Sequence, residues 1–373
     1  MLKISFCIVS MNRSHHLKQT LLKNIQDNTG YDALEFVVLN YNSKDDMEEW
    51  VKNEMSEHIT SGRLVYYRTY EPEHFTQSHS KNVAFKLASG DIVCNINADN
   101  YAGYKFADYV NFSFTNRSDI VLTPVVPYHP AIEDFASSEV MGKVCVLKQH
   151  FFRVNGFDER IVKYGYEDID FINRLEFANI SRQLLTERSF LQYITHSDEE
   201  RVDAIDIIGK IKSVYVRFDE PGVSHLVILN TDASFDMGLL IDNGSLDAHL
   251  YKYAYTQRNF RFAFTRDNNW IRGKWSDSHE NLIYFFPDHN AEPFSLTQHN
   301  TQGNSFLTDV SDSMFYQLID SSALKQISGF MYLMNSRDIM EENMKAIRIK
   351  VNGNGFGKAT VFKNFDYDTP IYI

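Results

Sequence analysis

Hydrophobic and polar positions recur in two patterns over the first two hundred residues. Lys3–Ser10, Leu34–Asn40, Arg63–Arg68 and Asp91–Ile96 are short, nearly unbroken apolar runs, as in parallel strands covered on both faces. Between the first two runs, Leu17, Leu21, Leu22 and Ile25 repeat at helical spacing behind Ser14, the expected cap, and the pattern stops near Gly30. Asp46–Ile59 and Ser78–Ser89 read as further helices, the second closed by Gly90. Strands alternating with helices predict an α/β domain over residues 1–205 with a Rossmann-like, mostly parallel sheet. Such sheets bind ligands beyond the carboxyl ends of their strands, where Asn40, Ser43, Asp45 and Asn97–Asn100 fall.

Past a boundary placed within Asp203–Ser213 the helical period fades. Short β-rich runs take over: SHLVILN, MGLLIDNG, FRFAFTRDN, NLIYFF, AIRIKVNGNG and ATVFKNF. With hairpin-type dipeptides at Asn243-Gly244 and Asn352-Gly353, they predict a β-sandwich or jelly-roll domain over 206–373. A small helix is expected near Ser336–Met344. Tyr251, Tyr253, Tyr255, Trp270 and Trp275 lie among Asn, Asp and Arg. That mixture suits a glycan-binding surface, but the alternating Tyr251, Tyr253 and Tyr255 read first as one strand face buried in the sandwich or in a homo-oligomer interface.

Charge narrows the choice of partner. The 373 residues carry 49 acidic against 37 basic side chains, a net charge of −12 shared by both halves. A dedicated nucleic-acid binder is therefore not expected, because that affinity comes from Lys and Arg on phosphates. The 3 cysteines, Cys7, Cys94 and Cys145, each sit in an apolar run and read as buried thiols of a reducing compartment. The opening residues read as a strand instead of a signal peptide, and no window is apolar enough to span a membrane. The expectation is a cytoplasmic protein, in one version peripheral to the inner membrane face.

Three segments carry candidate chemistry. Asn97-Ala98-Asp99-Asn100 follows a strand and places a carboxylate where a hard divalent cation would bind, although Asn and Asp also form ordinary turns. Tyr164-Gly165-Tyr166-Glu167-Asp168-Ile169-Asp170 sets three acids at the start of a helix whose buried face is expected to be Ile169, Ile172 and Leu175. His196 follows a strand-like run and is of the type that ligates Mn2+. No glycine-rich phosphate loop follows the first strand, which argues against a nucleotidyltransferase.

In order and spacing, Asp99, Asp168 and His196 resemble the GT-A glycosyltransferases, and residues 1–205 resemble glycosyltransferase family 2. Ser10-Met11-Asn12-Arg13 is similar to that family's PTYNR, and Val37–Asp45 to VVDNGSTD. Ser80–Ala84 is similar to ARNxG, and Asn97-Ala98-Asp99 takes the place of DxD. Gly165–Leu175 is similar to the GGEDDDIFNRL stretch of the β-1,4-galactosyltransferases. Two positions depart from the pattern: Asn40 stands where the family has Asp, and Asn97 where DxD begins.

The resemblance implies an inverting, metal-dependent transferase acting in polysaccharide or surface-glycan synthesis. It would move a sugar from a nucleotide diphosphate donor, a UDP-hexose or UDP-N-acetylhexosamine, to a glycan or glycolipid hydroxyl. Asp168 would be the base, and Asp99 and His196 would hold Mn2+ or Mg2+. Ser10, Asn12, Arg13, Asn40, Asp45, Lys81, Asn82 and Asn97 would line the donor, and Tyr164, Tyr166, Glu167 and Asp170 the acceptor. A catalytically degenerate glycan- or nucleotide-binding protein on the same scaffold is the alternative.

Overall fold

The apolar runs form one sheet. Ile4–Ser10 (β1), Leu34–Tyr41 (β2), Leu64–Thr69 (β3) and Ile92–Asn95 (β4) are parallel, with β2 and β4 flanking β1 and β3 outside β2. Ile120–Thr123 (β5), Val144–Leu147 (β6) and Ser181–Leu184 (β7) extend it beyond β4, with β6 antiparallel to both β4 and β5. Alternate residues feed two cores: Phe6, Ile8, Phe36 and Val38 on one face, Cys7, Val37 and Leu39 on the other. Burial on both faces is why the strands read as unbroken runs.

The helices between them are Ser14–Asp27 (α1), Met47–Glu54 (α2), Ser56–Thr60 (α3), Gln77–Leu87 (α4), Phe106–Asn116 (α5), Lys148–Arg153 (α6) and Glu167–Phe177 (α7). The single helix expected over Asp46–Ile59 is thus two, broken at Met55. All three cysteines are buried and free. Burial pushes the Cys7 and Cys94 thiols well above their ordinary value.

The computed structural model describes residues 1–127, 140–162, 165–195, 211–220, 223–242, 262–263, 270–277, 281–288, 291–301, 304–311, 313–319 and 321–373. It divides into two units, Met1–Ala204 with Asn335–Ile373, and Ile205–Met334. The expected division at 205/206 left everything after it to a second domain; instead the last 39 residues return to the first unit.

The second unit is a barrel, not the expected sandwich or jelly roll. Its strands are Ile211–Glu220 (β8), Val223–Asn230 (β9), Ser234–Asp242 (β10), Phe262–Ala263 (β11), Ile271–Asp277 (β12), Leu282–Pro287 (β13), Phe294–Thr301 (β14), Asn304–Thr308 (β15) and Met314–Gln317 (β16). All pairings are antiparallel. β9 pairs with β10, β10 with β12, and each later strand with the next until β16 meets β8, which itself pairs with β9. β11 is a short addition on β10. A strand buried on one face alternates identically in a sandwich and in a barrel, so the sequence pattern does not reveal closure.

Tyr215, Phe235, Trp275, Phe285, Leu307 and Phe315 belong to one of this unit's two buried clusters. Trp275 is therefore core and not an exposed sugar platform. Trp270 packs over Gly238, where a Cβ would meet its ring at 2.5 Å. Tyr251, Tyr253, Tyr255 and Asn243-Gly244 lie outside the described residues.

The small helix expected near Ser336–Met344 is the end of a 25-residue helix, Ser321–Lys345 (α8). Its Ile327, Met331 and Met334 cover Val214, Val216, Leu226 and Ile228 of β8 and β9 in the second unit. Its Met340 joins the core of the first. The run AIRIKVNGNG is not a strand. It is an irregular segment fastened by Asn352, whose Nδ2 donates to the carbonyls of Asn155 (2.8 Å) and Phe157 (2.7 Å). Thr360–Lys363 (β17) then pairs antiparallel with β3, and Asp366–Tyr372 (β18) with β17, lengthening the first unit's sheet.

Candidate active site

Gly165 (φ 92°) and Tyr166 (φ 65°) turn the chain into α7 in the left-handed region, which a glycine adopts freely and a tyrosine rarely. Glu167, Asp168 and Asp170 occupy the first helical turn, where unpaired backbone N–H groups favour acids. Ile169, Ile172 and Leu175 are buried as the spacing predicts, but so is every other residue from Glu167 to Leu175, so the helix is enclosed on all sides and has no single buried face.

Into this turn α4 sends Lys81. Its Nζ donates to Asp168 Oδ1 at 2.7 Å and to Glu167 Oε1 at 2.9 Å, and all three side chains are almost wholly buried. Burial lifts the Asp168 carboxyl from 3.8 to about 7; Lys81 opposes the rise and Glu167 adds to it. Burial also works against the Lys81 ammonium, but the two carboxylates outweigh it and leave its pKa above the ordinary value. Glu167 Oε2 is buried with no hydrogen-bond partner among the described residues.

Asp170, expected beside the acceptor, is instead held in the interior at 1% exposure. It accepts from Arg174 Nε and Asn343 Nδ2, both at 2.7 Å. Arg174 is fully buried and also donates to the carbonyls of Val154 (3.0 Å) and Gly156 (2.8 Å). Asn343 bridges on to Asp158 at 2.9 Å. The spacing of Asp170 and Arg174, one helical turn, was a readable signal for this pair; the Asn343 contact, across 173 residues, had none.

The donor-side residues are largely paired with one another. Asn40 is fully buried, donating to Tyr66 Oη and accepting from Ser43 N, both at 2.8 Å. Asn12 (φ 56°) donates its N–H to Ser43 Oγ at 2.8 Å and accepts from Lys44 N at 2.7 Å. Asp45 accepts from Ser14 N at 2.8 Å, so α1 takes its cap from Asp45 across the fold and not from Ser14. Arg13 immediately precedes that helix.

Ser10 Oγ is buried with no partner among the described residues. Asn82 ties down the loop before α7 through the Phe157 carbonyl (2.9 Å), the Phe157 N–H (2.8 Å) and Glu159 (3.0 Å). Lys81, expected at a phosphate, is held by the two carboxylates.

Asp99 stands half-exposed in the turn beyond β4, accepting from Asn100 Nδ2 at 3.0 Å. Asn97 accepts from Asn95 Nδ2 at 2.9 Å, directly over Gly142, where a Cβ would meet the amide at 2.7 Å. The turn is joined to the segment around Tyr193: Ile194 N donates to the Asp99 carbonyl at 2.8 Å, and Asn100 bridges to Tyr193. Beneath lies a residue that nothing in the sequence marked. Buried Lys143 donates to the carbonyls of Tyr101 (2.8 Å) and Phe190, and burial pulls its ammonium down to about 8.

His196 and Tyr164 lie outside the described residues. Among the described residues, no three His, Cys, Asp or Glu side chains gather as a metal site. Asp99 nevertheless offers a hard carboxylate oxygen of the kind Mg2+ and Mn2+ take.

Residues 5–165 match the family model for glycosyl transferase family 2, and residues 128–205 the one described as the N-terminal domain of galactosyltransferase. The motif resemblance, family 2-like with a galactosyltransferase-like acceptor segment, is borne out by both matches. No curated protein sequence matches the chain.

Among solved structures, the chain is similar to a Pyrobaculum calidifontis mannosyltransferase in complex with GDP-Man and Mn2+. That match has 16% identity and TM-score 0.41, and covers 49% of this chain and 55% of that one. It is also similar to residues 1–349 of S. aureus TarS in complex with UDP, with 18% identity, TM-score 0.39, and coverage of 54% and 63%. A third is a Drosophila β-1,4-galactosyltransferase 7 mutant with manganese, UDP-Gal and xylobiose, at 17% identity, TM-score 0.38, and coverage of 54% and 74%. This chain therefore spans 55% and 63% of the first two.

Proposed function

We propose that the protein is a metal-dependent, inverting glycosyltransferase that moves a hexose or N-acetylhexosamine from a UDP-sugar to a glycan hydroxyl. The observation that carries this reading is the buried acid pair at the head of α7. A carboxyl lifted to about 7 is a far better base at neutral pH than an ordinary aspartate. Asp168 takes the proton of the acceptor hydroxyl as that oxygen bonds the anomeric carbon from the face opposite the phosphate. A single displacement inverts the configuration. Glu167, with one carboxylate oxygen in the same turn unpartnered among the described residues, receives a second acceptor hydroxyl.

Asp99, with His196, would hold Mn2+ or Mg2+; a cation bound there would supply charge neutralisation for the departing diphosphate. Ser10, Arg13 and Asn97 line the donor, while Asn12, Asn40 and Asp45 shape the loops that face it. The galactosyltransferase-like match supports a saccharide acceptor. The barrel is assigned to oligomerisation or glycan binding.

The test is a panel of UDP-sugars with Mn2+, in which donor hydrolysis and transfer to short glycans are measured for the native chain and for Asp168→Asn. Native activity on at least one donor, with transfer lost in Asp168→Asn and UDP binding kept, is the expected result. Full transfer by Asp168→Asn would remove the assignment of the base.

A further inference from the structure

Lys81 resembles a family position near the donor, yet its charge is used elsewhere. Its side chain is 4% exposed, with its ammonium between the two carboxylates and 5.4 Å from the centre of the Phe157 ring. The other described charges around Asp168 are engaged with different partners. On α4, His79 bonds Tyr41 Oη and the Lys358 carbonyl. On the loop before α7, Asp158 bonds Arg160 and Asn343, and Glu159 bonds Asn82 and the Gly357 N–H. On α7, Asp170 is paired with Arg174. Among the described residues, Asp168 is thus balanced by one cation and burdened by one like charge. Two adjacent buried carboxylates without a cation would share a proton, with the pKa of one of them strongly raised.

We propose that Lys81 is a positioning residue for the transfer: its ammonium, donated to Asp168 and Glu167 together, fixes the Asp168 carboxylate at the head of α7 and favours its ionised form. The inference rests on Asp168 being the base. In the transfer step, the hydroxyl oxygen forms its bond to the anomeric carbon. Its proton passes to Asp168, and the nucleoside diphosphate leaves with the electron pair of the broken bond. Lys81 neither gains nor loses a proton.

The experiment is a 13C NMR titration of the full chain labelled at aspartate carboxyls, the Asp168 signal being the one missing from Asp168→Asn. In Lys81→Met its midpoint should rise by about 1–3 pH units, and in Lys81→Arg it should return near the native position. An unchanged midpoint in Lys81→Met overturns the proposal. If methionine at this buried site prevents folding, Lys81→Gln, which keeps a donor but no charge, gives the same two outcomes.

The donor panel with Mn2+ is run alongside, with the same fall in kcat at neutral pH and its recovery at higher pH expected in Lys81→Met. A raised KM for the UDP-sugar with an unmoved pH profile would place Lys81 at a phosphate and overturn the proposal. Full transfer by Asp168→Asn together with a shifted titration would overturn the base assignment while leaving the Lys81–Asp168 coupling measured, so the two failures are distinguishable.

Discussion

At the ends of β1 and β2, most polar side chains are paired off with one another and with the backbone: Asn40 with Tyr66 and Ser43, Asn12 with Ser43 and Lys44, Asp45 with the start of α1; the buried Ser10 Oγ, with no partner among the described residues, is an exception. At the head of α7, two carboxylates share one cation, and Glu167 Oε2 has no partner among the described residues. Both regions resemble family motifs, yet they use their polarity differently. Residues that satisfy one another build a loop and hold its shape. Residues left crowded or short of donors keep chemical potential for a ligand, and perturbed pKa values gather at such places.

Replacing Asp168 is the strongest way to break this contrast. Asp168→Asn should lower kcat by about 10²–10⁴-fold, the usual worth of a positioned base. Its thermal midpoint should stay near that of the native chain, because Lys81 keeps Glu167 as a partner. A matched loss of stability and activity would make Asp168 scaffold, like Asn40.

Next in size is Asp170, two residues along the same helix and opposite in role. Asp170→Ala leaves the fully buried Arg174 without its carboxylate and Asn343 without an acceptor. Urea unfolding should show a loss of about 3–5 kcal/mol, as for breaking one side of a buried ion pair. A loss below about 1 kcal/mol would mean that the network relaxes and that Asp170 is nearer to Asp168 in kind.

Much of this was legible in the chain. Unbroken apolar runs located β1 to β4, and helical spacing marked Ile169, Ile172 and Leu175 as buried, although not that the polar residues of α7 between them are buried too. What stayed hidden depends on pairing between distant segments. β17 joins β3 across nearly 300 residues, and closure of the barrel by β16 and β8 leaves no trace in local alternation. Lys81 was visible as a residue but its partners were not, since only the fold brings α4 to α7. Asp45 was visible as an acid at a strand end, and a cap on another helix has the same local signature.

A pH series sharpens the comparison further. Below about 7, kcat/KM should fall about tenfold per pH unit as Asp168 takes up a proton. Stability should run the other way. The native carboxyl, lifted from 3.8 to about 7, keeps a proton that the unfolded chain has lost, so its contribution to stability declines as pH rises across that interval. Asp158 behaves oppositely: burial would raise it, but bonds from Arg160 and Asn343 hold it low, so its contribution is lost as pH falls. Unfolding of Asp168→Asn between pH 4 and 8 should lack the declining component. An identical pH dependence of stability in both proteins would mean that Asp168 is not perturbed.

The smallest expected effect lies on the donor side. Asp45 accepts from the N–H of Ser14, the first residue of α1, and from Met47 N at 3.3 Å, the first of α2. Losing a cap costs about 0.5–2 kcal/mol, and here one side chain serves two helix starts, so Asp45→Ala belongs toward the upper end. Asp45→Asn keeps an acceptor oxygen and should recover most of the loss, because the role is hydrogen bonding to amides more than charge. If Asp45 instead contacted the nucleotide base directly, Asp45→Ala would weaken UDP binding while leaving the unfolding midpoint unchanged. Equilibrium unfolding and UDP titration on the same two variants separate these outcomes. A stability loss that Asp45→Asn reverses would place Asp45 with Asn40 and Asn12 among the residues that build the donor edge.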